Sequence, residues 1–262
     1  MPVEKHLANG ISMNPHGFGY ALITREMDLL TGRSMYSKEA LDEFLTLRDQ
    51  HPEGPALFHS RLSTGGIRYT LNCHPFIVGG VSKTIADPRT VIAHNGTLFK
   101  AAGYRSDTRE FAEDIFPRDF AALDNEETAE DLLTYVGKAN KLVILTVDPR
   151  YKHISYLVNG SQGFWVDKDG NSFPREKGSE VPEGHAWHSN RDYQTPLTYR
   201  HEIPGKHWSR VIYTDRTQED CARCYAKHAL NRVTGVCQVC LTCADCGNSV
   251  RNCTCYEGAG IK

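Results

Sequence analysis

Eight of the nine cysteines in this 262-residue chain lie between Cys221 and Cys255, and that crowding divides the sequence before any other feature is read. They run Cys221-x2-Cys224-x12-Cys237-x2-Cys240, then Cys243-x2-Cys246-x6-Cys253-x-Cys255. Two cysteines separated by two residues form a tight knuckle around one Zn²⁺, and four thiolates complete a tetrahedron. The spacing fits zinc ribbons better than a disulfide framework, and eight ligands imply two structural zinc ions. The ligands divide either sequentially, as 221/224/237/240 and 243/246/253/255, or as an interleaved cross-brace, with His228 a possible substitute for one thiolate. A tail of roughly 35 residues is too small for its own hydrophobic core, so the metal supplies its folding energy.

The rest of the chain is long enough for one large domain. Hydrophobic residues make up 40% and charged residues 24%, which permits a sizeable core. Three regions are expected: a domain over 1–200, a polar linker over 201–219 that contains Pro204-Gly205, and a cysteine-rich module over 220–262. A formal charge of -2 gives no general attraction to nucleic acid or to an anionic membrane. The tail holds eight Lys/Arg against five Asp/Glu from residue 206 onward. Four thiolates around each zinc dication turn that surplus slightly negative, which argues against phosphate-driven binding of nucleic acid and favours a protein-docking or stabilising role. No apolar run is long enough to span a bilayer. The opening residues Met1–His6 include an acid and no apolar stretch, so a secretion signal is not expected and a cytoplasmic location is.

Residues 1–13 read as a short amphipathic helix, followed by the turn Asn14-Pro15-His16-Gly17. Strands are expected at Phe18–Thr24, Ala56–Thr64, Pro75–Val78, Thr90–His94, Leu142–Val147, Ile154–Val158 and Phe164–Val166. Helices are expected near Lys38–Gln50, from a capping box at Asp107-Thr-Arg-Glu110 through Phe116, and from Asp124-Asn-Glu-Glu127 to about Gly137. Strands near both ends with helices between them predict an α+β layered domain.

Three of the turn and strand segments carry polar residues with chemistry. Alternation over 58–63 puts His59, Arg61 and Ser63 on one strand face. Arg61 can grip a carboxylate with two parallel hydrogen bonds, or simply face solvent. Asp107 can pair with an ammonium, or cap a helix. Asn95 and the Gly96 amide can donate to a developing oxyanion, or form an ordinary hairpin turn. Read together, the set points to hydrolysis of a free amino acid's side-chain amide.

The order of these segments resembles the class II glutamine amidotransferases, members of the N-terminal-nucleophile hydrolases. Asn14-Pro-His-Gly-Phe-Gly19 is similar to that family's early glycine-rich turn and strand, and His59-Ser-Arg-Leu-Ser-Thr64 to its arginine-bearing strand. Asn72-Cys-His-Pro-Phe76, Ala93-His-Asn-Gly96 and Ser106-Asp-Thr108 follow in the family's order. Glu183-Gly-His-Ala-Trp-His-Ser-Asn190 resembles a late segment of small stand-alone, phage-type versions. The resemblance spans about residues 1–195. It implies a four-layer α/β/β/α sandwich and glutamine as ligand. Arg61 would hold the α-carboxylate with Thr64 lining the pocket, Asp107 would hold the α-amino group, and Asn95 with Gly96 would form the oxyanion hole. Ammonia released from glutamine would pass to a partner synthetase or another protein. Asn14, Gly17 and Gly19 would serve backbone geometry, and His59, His74 and His94 structural hydrogen bonds.

The family's nucleophile is a cysteine at the mature N-terminus, whose own α-amino group serves as base. This chain opens Met1-Pro2-Val3, and its first cysteine is Cys73. Three explanations are open: a true start upstream at a Met-Cys, a catalytically inactive scaffold acting as a zinc-dependent adaptor, or recruitment of Cys73.

Overall fold

The computed structural model describes residues 4–63, 68–80, 89–101, 104–167, 169–173 and 185–193, together with the short pairs 218–219 and 230–231. Thr64 and all eight cysteines of the tail therefore lie outside the described residues, as does most of the linker.

Helix α1 (Glu4–Met13) leads into β1 (Phe18–Ile23), every residue of which is buried. β1 is the middle strand of an antiparallel sheet, flanked by β2 (Leu29–Ser34) and β3 (Ala56–Ser60), with α2 (Ser37–Gln50) between those two in sequence. A strand buried on both faces carries an unbroken apolar run rather than an alternating one, and Phe-Gly-Tyr-Ala-Leu-Ile satisfies that. On one face Tyr20 packs with Leu7 of α1 and Phe44 of α2. On the other, Ala21 and Ile23 meet Val91 and Leu145 of the second sheet.

That second sheet has the order β4-β5-β6-β7 and is antiparallel throughout. Its strands are β4 (Phe76–Ile77), β5 (Thr90–Asn95), β6 (Lys141–Thr146) and β7 (Ser155–Val158). Its opposite face carries the largest core cluster, in which Ile92, Leu142 and Ile144 contact Phe111, Phe116, Leu132 and Val136. Those aromatic and aliphatic residues come from a π-helical stretch (Phe111–Ile115) that continues α3 (Asp107–Glu110), from α4 (Phe116–Asp119) and from α5 (Glu126–Val136). The π stretch has a local cause: Pro117 has no N–H to donate to the preceding turn, and its ring needs the wider backbone spacing. A third sheet, β10-β8-β9, joins β8 (Phe164–Val166), β9 (Ser172–Phe173) and β10 (Ala186–His188).

The protein is a mixed α and β fold of small antiparallel sheets, as its pattern of elements predicts. Most expected elements occur within a residue or two of their expected bounds. β2 was not expected, because Leu-Leu-Thr-Gly-Arg-Ser holds a glycine and a charge and does not alternate. The strand expected over 56–64 ends at Ser60. Backbone bonds continue briefly, from Arg61 N–H to Gly17 O (2.8 Å) and from His16 N–H to Arg61 O (2.9 Å). Gly17, opposite Arg61, has a φ of +128°, and its missing Cβ would fall 2.3 Å from Cys73 Sγ. Near the C-terminus, β11 (Gln218–Glu219) pairs antiparallel with β12 (Leu230–Asn231). No described helix is long and apolar enough to cross a membrane.

Candidate amino-acid-binding site

The end of β3, the end of β5 and the start of α3 converge on a cavity of about 430 Å³. Arg61, Asn95, Gly96 and Asp107, four of the residues singled out from sequence, all line it. A single arginine and a single aspartate are the only basic and acidic side chains among the described lining residues, histidines aside. Cavities of this size suit a small ligand held by a few convergent polar groups.

Arg61 is 4% exposed at the point where β3 stops pairing, so it is not the solvated strand arginine that alternation alone allows. Beside it three histidines are packed without charge. Burial pushes the His59 imidazole down to about 3 and the His74 imidazole well below the ordinary histidine range. His59 Nε2 lies 3.1 Å from His94 O and 2.8 Å from His74 Nδ1. A carbonyl needs a donor, so His59 carries its proton on Nε2 and shares it between the two acceptors. His59 Nδ1 is buried with no partner among the described residues, consistent with a bare nitrogen there. A neutral His59 thus holds the His94 carbonyl, one residue before the Asn95-Gly96 corner.

Asp107 does not cap its helix, contrary to the capping-box expectation. Ser106 is the N-cap: its backbone is extended, and its Oγ accepts from Arg109 N–H at 3.2 Å. Buried Asn72 fixes Ser106 by accepting its N–H at 3.2 Å. Asp107, now the first helical residue, turns its carboxylate toward the cavity corner. There Oδ2 accepts Leu98 N–H and Oδ1 accepts Thr108 N–H, both at 2.7 Å. The helix N-terminus favours that negative charge.

The corner between β5 and β6 is tightly built. Gly96 has φ +138°, and a Cβ there would stand 1.9 Å from Asn140 Oδ1. Asn140 also accepts Thr97 N–H at 2.7 Å and lies 3.0 Å from His94 Nε2. Sequence reasoning passed over Asn140, which belongs to no motif. Strand register would have found it: β5 and β6 pair Asn95 with Lys141, which sets Asn140 opposite Gly96. Asn14 and Asn190 also line the cavity.

Cys73 is not among the lining residues. It is fully buried against Met35 Sδ (3.6 Å) and Tyr69 O (3.6 Å), in the position of a small core hydrophobe. Recruitment of Cys73 as a substitute nucleophile is therefore not supported by its position. Thr64 lies outside the described residues, and no group of three or more metal-ligating side chains occurs among those described. No protein-family model matches the chain, and no curated protein matches it.

Proposed function

We propose that this is a class II glutamine amidotransferase-like protein whose cavity binds glutamine for hydrolysis of the side-chain amide to glutamate and ammonia. Arg61 takes the α-carboxylate, Asp107 the α-ammonium, and Asn95 with the Gly96 N–H the amide oxygen as it gains negative charge. Thr64, which the resemblance adds to this set, lies outside the described residues. The observation that carries this reading is the convergence of Arg61, Asn95, Gly96 and Asp107, distant in sequence, on one cavity. A ligand with a carboxylate and an ammonium asks for opposite charges at separate points, and a neutral amide end asks for uncharged donors.

Support for a four-layer α/β/β/α N-terminal-nucleophile arrangement comes from the order of the cores: helices on one sheet, sheet on sheet, helices on the second sheet. The β11–β12 pair, with strands on either side of Cys221 and Cys224, is in keeping with a zinc-ribbon-like module holding two Zn²⁺. Ammonia would pass to a partner enzyme. A second reading, an inactive scaffold acting as a zinc-dependent adaptor, is favoured by one fact: no thiol occurs among the described lining residues.

Titration calorimetry with glutamine tests the binding claim independently of any nucleophile. Loss of a charge-assisted pair costs about 1.5–3 kcal/mol, so Arg61→Ala should weaken glutamine binding roughly 10- to 150-fold. Unchanged affinity in that variant, or no binding by the parent chain, sinks the amidotransferase reading and leaves the adaptor.

A further inference from the structure

Asn140 sits where the two ends of the cavity can be coupled. Its orientation is set by its neighbours: Nδ2 donates to Val136 O at 2.7 Å, so Oδ1 faces the other way and accepts Thr97 N–H. The loop that carries it is held in turn by Asn159, whose Nδ2 donates to Gly137 O (2.9 Å) and Asn140 O (2.8 Å). An amide oxygen cannot donate, so the 3.0 Å contact with His94 requires the proton on Nε2 and leaves Nδ1 bare. The donor facing Nδ1 is the Thr108 hydroxyl, 2.9 Å away. That hydroxyl has one hydrogen, and its other acceptor, Asp107 Oδ1, is farther at 3.3 Å. The nearer acceptor takes the hydrogen, so the Thr108 hydroxyl donates to His94 Nδ1. Each Asp107 oxygen then receives one backbone N–H and keeps acceptor capacity for a cation in the cavity.

We propose that Asn140 is a positioning residue: acting through the His94 tautomer, it commits the Thr108 hydroxyl to the imidazole and so keeps the Asp107 carboxylate open to a ligand's ammonium. The ligand's identity rests on the reading above, whereas the relay from Asn140 through His94 to Thr108 does not. Burial also holds the His94 imidazole below the ordinary histidine range, and the charged groups acting on it are Asp107 and Lys141. A carboxylate in place of the Asn140 amide would stabilise an imidazolium. His94 Nδ1 would then donate to Thr108, and the hydroxyl hydrogen would turn to Asp107, in competition with the ligand.

The test combines ¹⁵N NMR of the histidine side chains with calorimetry on the full chain. The ligands are glutamine and 4-carbamoylbutanoate, which is glutamine without its ammonium. The parent protein is expected to show His94 as a single neutral Nε2–H tautomer. N140D should show a protonated His94 at neutral pH, a loss of glutamine affinity of at least about tenfold, and a loss of less than about threefold for 4-carbamoylbutanoate. N140S, which stays uncharged and guards against a folding defect, should mix the two tautomers of His94. An Nδ1–H tautomer in the parent, or equal losses for both ligands in N140D, overturns the proposal. If the parent binds neither ligand yet its single Nε2–H tautomer gives way to a protonated His94 in N140D and to a tautomer mixture in N140S, the relay stands and the glutamine reading alone falls.

Discussion

Gly96 concentrates the constraints on this site in one residue. Its φ of +138° is strained for any L side chain, and the space a Cβ would need belongs to Asn140 Oδ1. Relief would require the oxygen to leave His94 Nε2 and Thr97 N–H together. Gly96→Ala is therefore expected to cost about 1–3 kcal/mol, read as a lower urea midpoint, and to weaken glutamine binding at the same time. A stable variant with unaltered affinity would show that the corner has slack. Around this residue the neutral histidines matter for electrostatics. With His59 and His74 uncharged, the positive charge offered to a carboxylate is that of Arg61, and no imidazolium stands beside it to divert the ligand.

Among the elements, the segment from Ser106 to Asp119 explains how one stretch serves both core and site. Its apolar side, Phe111, Ala112 and Phe116, is fully buried in the largest cluster. Its first turn presents Asp107 and Thr108 to the cavity. The division depends on Ser106 taking the cap, since an Asp107 occupied with capping would be turned away from Leu98 N–H. Ser106→Ala should lower unfolding free energy by about 1 kcal/mol, measurable by urea denaturation. It should also loosen Asp107 enough to reduce glutamine affinity, and an effect on stability alone would separate the cap from the site. That Asp107 and Thr108 open a helix was legible in the run Ser-Asp-Thr-Arg-Glu. Which residue caps it was not, because Ser106 and Asp107 are both good caps and the choice fell to Leu98 and Asn72, which approach from elsewhere in the chain.

For the molecule as a whole, the site lies at strand ends beside a sheet-on-sheet core, where His74 is buried and His59 half-buried. This has a consequence for stability against pH. His59 falls to about 3 when folded, while the unfolded chain holds it near the ordinary 6.5. Between those values the unfolded state binds a proton that the folded state refuses, so stability is complete above about pH 6.5 and declines as pH falls toward 3. Urea midpoints taken between pH 7 and pH 5 should fall with pH, and less steeply in His59→Gln. Identical slopes in the two proteins would show that His59 is solvated in the folded state. By itself the sequence determined most of the elements, because hydrophobic period and turn residues act over a few neighbouring positions. It also named Arg61, Asn95, Gly96 and Asp107, since their residue types and order carry chemistry. Only the tertiary structure decided that these four share one hollow, that Cys73 is shut away from it, and that Asn140 and three neutral histidines hold it in shape. Those outcomes depend on strand register and on which groups lose water together, and neither quantity is local to any segment of the chain.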